Sequence, residues 1–266
     1  MGFVVFIGAG PGAADLITLR GAARLREAEV VLFDALSDPA LRELAPTAEW
    51  IDVGKRGFVH ATQQAQINAL LLDKARTHER VVRLKGGDPS LFGRLEEELL
   101  TLQAAGIACE VVPGVTAALA AAAATQRPLT RRGTGRSVSF ATAMTVAGEL
   151  RSSLSADTEV FYMAGRQLGE LAARLLDAGW ALDTPVLVVS RAGWPDQLDS
   201  SHELGRLGDA SALHAGRPAV VTVGAGASAL PGEPPLVQPA VADRGAEAHV
   251  AGGLVVPQFP AAARAS

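Results

Sequence analysis

The 266-residue chain has a single cysteine, Cys109. One thiol cannot close an intrachain disulfide, and its place in the apolar run 107–112 predicts a buried, inert position. No cysteine–histidine cluster is present, so no metal site is predicted. Aromatic residues make up only 5% of the chain while alanine, leucine, valine and glycine dominate, a composition that suits helices packed on a sheet. An excess of positive charge is missing too: 24 lysines and arginines face 28 acidic residues, a net charge of −4. That balance excludes the broad basic face that nucleic-acid binding requires. No apolar run reaches the length of a membrane span, and residues 1–7 lack the basic region and apolar core of a signal peptide. A soluble cytoplasmic protein is predicted, with no membrane partner.

Against these absences stands one stretch, VVRLKGGDPSLFGR, at 81–94. Val81–Leu84 reads as a buried strand. Gly86-Gly87-Asp88-Pro89 cannot continue it, because glycine admits positive φ and close approach by a ligand while proline fixes φ and removes a donor. A helical pattern follows from Leu95. Strand, glycine turn and helix is how an α/β protein presents backbone to a small molecule at the carboxyl edge of its sheet.

The same alternation recurs before it. Strands are predicted at Phe3–Ile7, Val30–Asp34, Trp50–Val53 and Cys109–Val112. Between them come a helix capped by Thr18 and running through Ala28, a short helix at Pro39–Ala45, a helix capped by Thr62, and one ending at Gly106. This order predicts a mostly parallel sheet with right-handed crossovers. The pattern breaks at Pro113-Gly114, where we place a boundary: an N-terminal α/β domain at 1–113 and a second at 114–230. The second half has an alanine-rich helix to about Thr125, strands at 137–142, 160–163, 185–190 and 219–223, and a helix at 167–178. Residues 231–266 turn rich in proline, alanine and glycine, and are predicted to be a disordered tail.

Strand ends gather at one edge of such a sheet, so the loop 8–12, Asp34, Lys55 and Gly86–Asp88 are expected to face one cleft. Gly8–Ala13 also fits G-x-G-x-x-[GA], with Asp34 about 20 residues on, and an NAD-dependent oxidoreductase is one reading. Pro11 weakens it by removing an N–H from the loop, as does Thr18, which caps the helix too late. Arginines are the second signal. Arg131, Arg132 and Arg136 fall within six residues beside the boundary, with Arg56, Arg94 and Arg191 on other loops. Guanidinium forks suit carboxylates, so an anionic substrate is predicted.

Seven blocks, GAGPGAADLITLRG, VVLFDAL, VGKRGFVH, VVRLKGGDPSLFGR, EVVPGVTAA, RPLTRRG and VFYMAG, fall in the order and spacing of the tetrapyrrole methylases. Over 3–226 the chain resembles that family, and within it the uroporphyrinogen-III C-methyltransferases. The resemblance implies two α/β domains with S-adenosyl-L-methionine held in the cleft between them, leaving as S-adenosyl-L-homocysteine, and a homodimer. It implies C-methylation of a small-molecule tetrapyrrole, uroporphyrinogen III, at two ring carbons to give precorrin-2, or of a later corrin precursor. The family's cofactor contacts map to Pro11, Gly86, Gly87, Asp88, Leu91, Thr116, Ala117, Met163 and Ala192. Its acid/base pair maps to Asp34 and Lys55, and its substrate positions to Arg94, Glu97, Arg132 and Met163. Departures cluster on the substrate side: Ser90, Leu95, Arg131 and Gly133 stand where the family has other residue types, and Thr142-Ala143-Met144 replaces a TGH motif.

Overall fold

The computed structural model describes residues 2–54, 60–143 and 154–232, with 60–63 given in backbone only. Two five-stranded sheets carry the chain. The first has strands β1 (Phe3–Gly8), β2 (Val30–Phe33), β3 (Glu49–Asp52), β4 (Arg80–Lys85) and β5 (Cys109–Val112), in the order β3-β2-β4-β1-β5. All its pairings are parallel. The second has β6 (Val138–Thr142), β7 (Thr158–Tyr162), β8 (Pro185–Ser190), β9 (Leu198–Glu203) and β10 (Ala219–Gly224), in the order β6-β7-β10-β8-β9. Only β6 and β7 pair in parallel; the other three pairings are antiparallel.

The first sheet is covered on both faces, as parallel sheets are, so its central strands can be apolar throughout. One face packs on helix α1 (Leu19–Arg26) and a 3-10 stretch at Pro39–Leu44, burying Val5, Ile7, Val31, Val82 and Leu84. The other packs on α2 (His60–Thr77) and α3 (Leu95–Ala104), burying Val4, Phe6, Leu32, Val81 and Leu102. The second sheet is likewise sandwiched. Helix α4 (Ala117–Ala124) lies on one face. Helix α5 (Leu168–Asp177) and a 3-10 run at Leu204–Ser211 lie on the other.

Several expectations are met closely. Thr18 does cap α1, its Oγ1 accepting from Gly21 N at 3.0 Å. Others are corrected. Helix α2 opens at His60, ahead of the Thr62 expected to cap it. Cys109 is exposed rather than buried: β5 is an edge strand, paired only with β1, and its outer positions are uncovered. Strand β9 was not foreseen, since Leu198–Glu203 is polar and shows no apolar alternation. The tail predicted at 231–266 lies outside the described residues from 233 onward.

That polar edge strand shields a hydrogen-bonded core. Buried His214 meets Ser190 Oγ through Nδ1 at 2.9 Å and Ser200 Oγ through Nε2 at 2.9 Å, and His202 Nε2 meets Ser200 Oγ at 2.7 Å. Burial first, then the neighbouring His202 and Arg217, pushes the His214 pKa from 6.5 down to about 4. An imidazole that resists protonation when folded lets the unfolded chain bind protons first as pH falls. Its contribution to stability is therefore complete above pH 6.5 and is lost on the way down to about 4. The melting temperature should fall across that window, and fall less steeply in His214→Gln; equal slopes in the two proteins would contradict the assignment.

Candidate active site

Central strand β4 and its neighbour β1 end in register, Gly8 opposite Lys85. The loops that follow them are joined. Gly87 N donates to Gly10 O at 2.7 Å and Gly10 N to Gly87 O at 3.3 Å. Both glycines have positive φ, 82° and 68°, which side-chain-bearing residues adopt only at a cost. The loop after β5 crosses the same point. A Cβ on Gly114 would lie 2.3 Å from Gly87 O and 2.7 Å from Gly8 Cα, so three strand ends touch backbone to backbone. Asp88 locks the crossing: Oδ2 accepts from Gly114 N at 2.9 Å and Oδ1 from Ser90 N at 2.8 Å.

Above this crossing lies a cleft of about 280 Å³. All nine positions expected to touch a cofactor line it: Pro11, Gly86, Gly87, Asp88, Leu91, Thr116, Ala117, Met163 and Ala192. Asp34 lines it as well. The second half supplies the facing wall. Trp194 reaches across from that half, packs against Gly12, and donates Nε1–H to Pro11 O at 3.1 Å. Arg191 stacks over Trp194, its Cζ 4.3 Å from the ring centroid, and its Nε bonds Asp196 Oδ1 at 2.7 Å. The Tyr162 hydroxyl and Thr116 Oγ1 lie 2.7 Å apart, and burial raises the Tyr162 pKa against the opposing pull of that hydrogen bond.

Among the described residues, five other than glycine have positive φ: Phe92, Arg94, Gln126, Met163 and Arg191. Three of them, Phe92, Met163 and Arg191, line the cleft. Such conformations cost about 1–3 kcal/mol each and persist where the surrounding structure holds them.

Asp34 stands at the end of β2 with its side chain 30% exposed. Its Oδ1 accepts from Arg83 Nη2 at 2.6 Å. Arg83, buried on β4, also bonds Glu98 Oε1 at 3.0 Å, and Lys85 Nζ bonds Glu98 Oε2 at 2.6 Å. This ion cluster was not anticipated, because Arg83 and Lys85 read as strand residues and Glu98 as one of three consecutive glutamates on a helix.

The substrate-side positions are not all brought together. Lys55, with Arg56, lies outside the described residues, as does Met144. Arg94 and Glu97 pair with each other at 2.6 and 2.7 Å, at the start of α3. Of the expected arginine cluster, none lines the cleft. Arg131 donates to the carbonyls of Ser228 and Ala229 and so ties down the chain after β10. Arg132 is exposed on a turn, and the Arg136 N–H goes to Asp157. The dinucleotide reading of Gly8–Ala13 loses its geometry: a 3-10 turn at Ala14–Leu16 separates the loop from α1, so no helix N-terminus faces it. Tyr162 and Trp194 enter the site unassigned, while Arg191, one of the loop arginines expected to meet an anion, does line the cleft. The single tyrosine of the chain sits in the VFYMAG block, which was the signal available; nothing in the sequence marks Trp194.

Leu95, one of the departures, packs as the first residue of α3 against the core beneath the sheet. A second hollow of about 620 Å³, lined by Arg131, Ser137, Asp157 and Trp180 among others, lies at the opposite end of β7. No group of metal-ligating residues is found among the described residues, and no helix there is long and apolar enough to cross a membrane.

The family model of the Tetrapyrrole (Corrin/Porphyrin) Methylases matches residues 4–207. A uroporphyrinogen-III C-methyltransferase of Pseudomonas aeruginosa is 42% identical over 229 residues, covering 84% of this chain and 93% of that protein. A siroheme synthase of Psychrobacter sp. is 41% identical over 224 residues, 82% of this chain but 45% of its own length. The chain thus spans under half of that larger relative. Among solved structures, the uroporphyrin-III C-methyl transferase of Thermus thermophilus complexed with S-adenosyl homocysteine superposes with a TM-score of 0.75 at 36% identity, over 85% of this chain and 98% of that one.

Proposed function

We propose that this chain, which belongs to the tetrapyrrole (corrin/porphyrin) methylase family, methylates uroporphyrinogen III at two ring carbons from S-adenosyl-L-methionine and yields precorrin-2. One observation carries the reading: nine positions from five separate stretches of the chain, together with Asp34, line a single cleft. Relatives named for this activity cover nearly their whole length with it. The homodimer and the cytoplasmic setting implied by the resemblance belong to the same reading.

The cleft fits the methyl donor in character. Its volume is near the lower end for small-molecule sites. Apolar surface from Pro11, Leu91, Met163 and Ala192 surrounds a few polar groups. At Gly87 a Cβ would meet only Thr116 Cα, at 4.0 Å, so the open side of the loop is free for close approach. When bound, S-adenosyl-L-methionine supplies an electrophilic sulfonium methyl that needs no metal.

The chain then has three tasks. The glycine crossing and the Trp194 wall hold the reactants in one orientation, and such positioning is worth about 7–11 kcal/mol of a barrier. Apolar walls exclude water from the reacting carbon. Asp34, with Oδ1 occupied by Arg83, has its second oxygen to receive a proton released from the pyrrole side. Such an acid/base group contributes about 10²–10⁴-fold. Lys55 is the proposed donor partner. Arg94, Glu97 and Arg132, outside the cleft proper, are proposed to meet the substrate's carboxylates and pyrrole N–H groups, with Met163 between substrate and cofactor.

Anaerobic incubation with uroporphyrinogen III and S-adenosyl-L-methionine, followed by mass measurement, tests the proposal. Two added methyl groups are expected. A protein that retains S-adenosyl-L-homocysteine yet adds no methyl to this substrate would redirect the reading to a later corrin precursor.

A further inference from the structure

Beneath the cleft floor, the two sides of one strand–helix interface are joined by buried charge. Val81, Arg83 and Lys85 alternate onto the same face of β4, toward α2 and α3. Where apolar packing would be expected, Arg83 and Lys85 instead grip the two oxygens of Glu98, and all three side chains are buried. Glu98 is further fixed by Gln64 Nε2 at 3.4 Å. Gln64 bonds Asn68 at 2.9 Å, and Asn68 bonds Thr101 at 2.9 Å. Arg83 is held on its remaining sides by the carbonyls of Leu84 at 3.1 Å and Leu32 at 3.4 Å. Only Nη2 reaches out of this cage, and it meets Asp34 Oδ1 at 2.6 Å.

We propose that Arg83, Glu98 and Lys85 form a positioning relay for Asp34: a rigid buried scaffold that presents one carboxylate oxygen of Asp34 to the cleft and withholds the other. This inference rests on the reading of Asp34 as the acid/base residue. Two physical points support it. A buried ion cluster is poor ground for stability, since apolar residues of the same volume hold such interfaces as well or better. A cluster that does not serve stability but ends on a cleft-lining carboxylate serves orientation. The charges also balance, Asp34 and Glu98 against Arg83 and Lys85, so no unpaired ion is buried under the reactants. Burial, then the like charge of Arg83, pushes the Lys85 pKa down, the direction expected for a cation enclosed within a cluster rather than held at its rim.

A guanidinium fork is needed to reach Glu98 and Asp34 at once; a lysine at 83 keeps the charge and loses the second contact. Arg83→Lys should therefore lower kcat by about 10-fold or more, part of the 10²–10⁴-fold that a placed acid/base supplies. The Kd for S-adenosyl-L-homocysteine should stay within about twofold, because no cofactor-side residue moves. The deciding measurement is a double-mutant cycle. If Arg83 acts through Asp34, adding Arg83→Lys to Asp34→Ala costs nothing further in kcat. A folded Arg83→Lys enzyme with wild-type kcat overturns the relay, and so do losses that multiply in the double variant, as a purely structural role would give. Wild-type turnover in Asp34→Ala alone would instead overturn the acid/base assignment on which the relay stands. Should Arg83→Lys not fold, the combined Arg83→Met, Glu98→Leu and Lys85→Met replacement removes the cluster without leaving a lone buried charge, and it enters the same cycle.

Discussion

Asp34→Ala is expected to reduce methyl transfer by about 10²–10⁴-fold while changing S-adenosyl-L-homocysteine affinity by no more than about twofold. The carboxylate lines the cleft, yet the glycine loops and apolar walls that would hold the cofactor are built without it. Its removal also leaves Arg83 Nη2 without that acceptor, a loss of about 1–3 kcal/mol where the group is buried. Arg83 keeps Glu98 and two carbonyls, so the fold should survive. Asp34→Asn separates the two effects, since its amide oxygen can still accept from Arg83 but cannot take up a proton. Calorimetry with S-adenosyl-L-homocysteine and a methyl-transfer assay on each variant decide the matter. Turnover at the wild-type level in both would remove Asp34 from the mechanism.

The second large effect belongs to the backbone crossing. Gly114→Ala places a methyl 2.3 Å from Gly87 O and 2.7 Å from Gly8 Cα, and neither neighbour is a side chain that can rotate away. The three loops must part by more than an ångström. Overpacking of this kind costs about 1–3 kcal/mol, and a protein of this size loses roughly 2–4 °C of melting temperature per kcal/mol. Because the same loops shape the cleft floor and carry Asp88, cofactor affinity should fall together with stability. Gly8→Ala, which meets Gly114 at 2.5 Å and Gly87 O at 2.7 Å, should behave alike. Thermal melts with and without S-adenosyl-L-homocysteine measure both losses. A Gly114→Ala protein that melts and binds as the wild type would show that the crossing is not needed.

Much of this was legible in the chain because parallel α/β architecture writes itself plainly. Strands covered on both faces are short apolar runs, and β1, β2, β4, β8 and β10 each read so. The loops at the strand ends were equally open, since the glycines and prolines of 8–12 and 86–89 cannot continue a strand. What stayed hidden depends on partners far away in sequence. The exposure of Cys109 follows from β5 having a neighbour on one side only, which its own residues do not encode. Strand β9 is polar because it covers His214 and its serines rather than apolar core. Arg131 looked like a carboxylate ligand, and only the return of the chain at Ser228 shows where its guanidinium goes. The link from Asp34 to Glu98 spans three elements, β2, β4 and α3, and no local pattern announces it.

The left-handed residues around the cleft bear on how this protein can change. Met163 and Arg191 hold a conformation that glycine would adopt freely, so a population selected for heat resistance alone would be drawn to glycine at those sites. The same replacements delete a thioether and a guanidinium from the wall facing the glycine loops. Thermal tolerance and the chemical lining of the cleft therefore compete at identical codons. A lineage keeping both must gain its stability elsewhere, in the sheet cores or at the exposed β5 edge, away from the cleft.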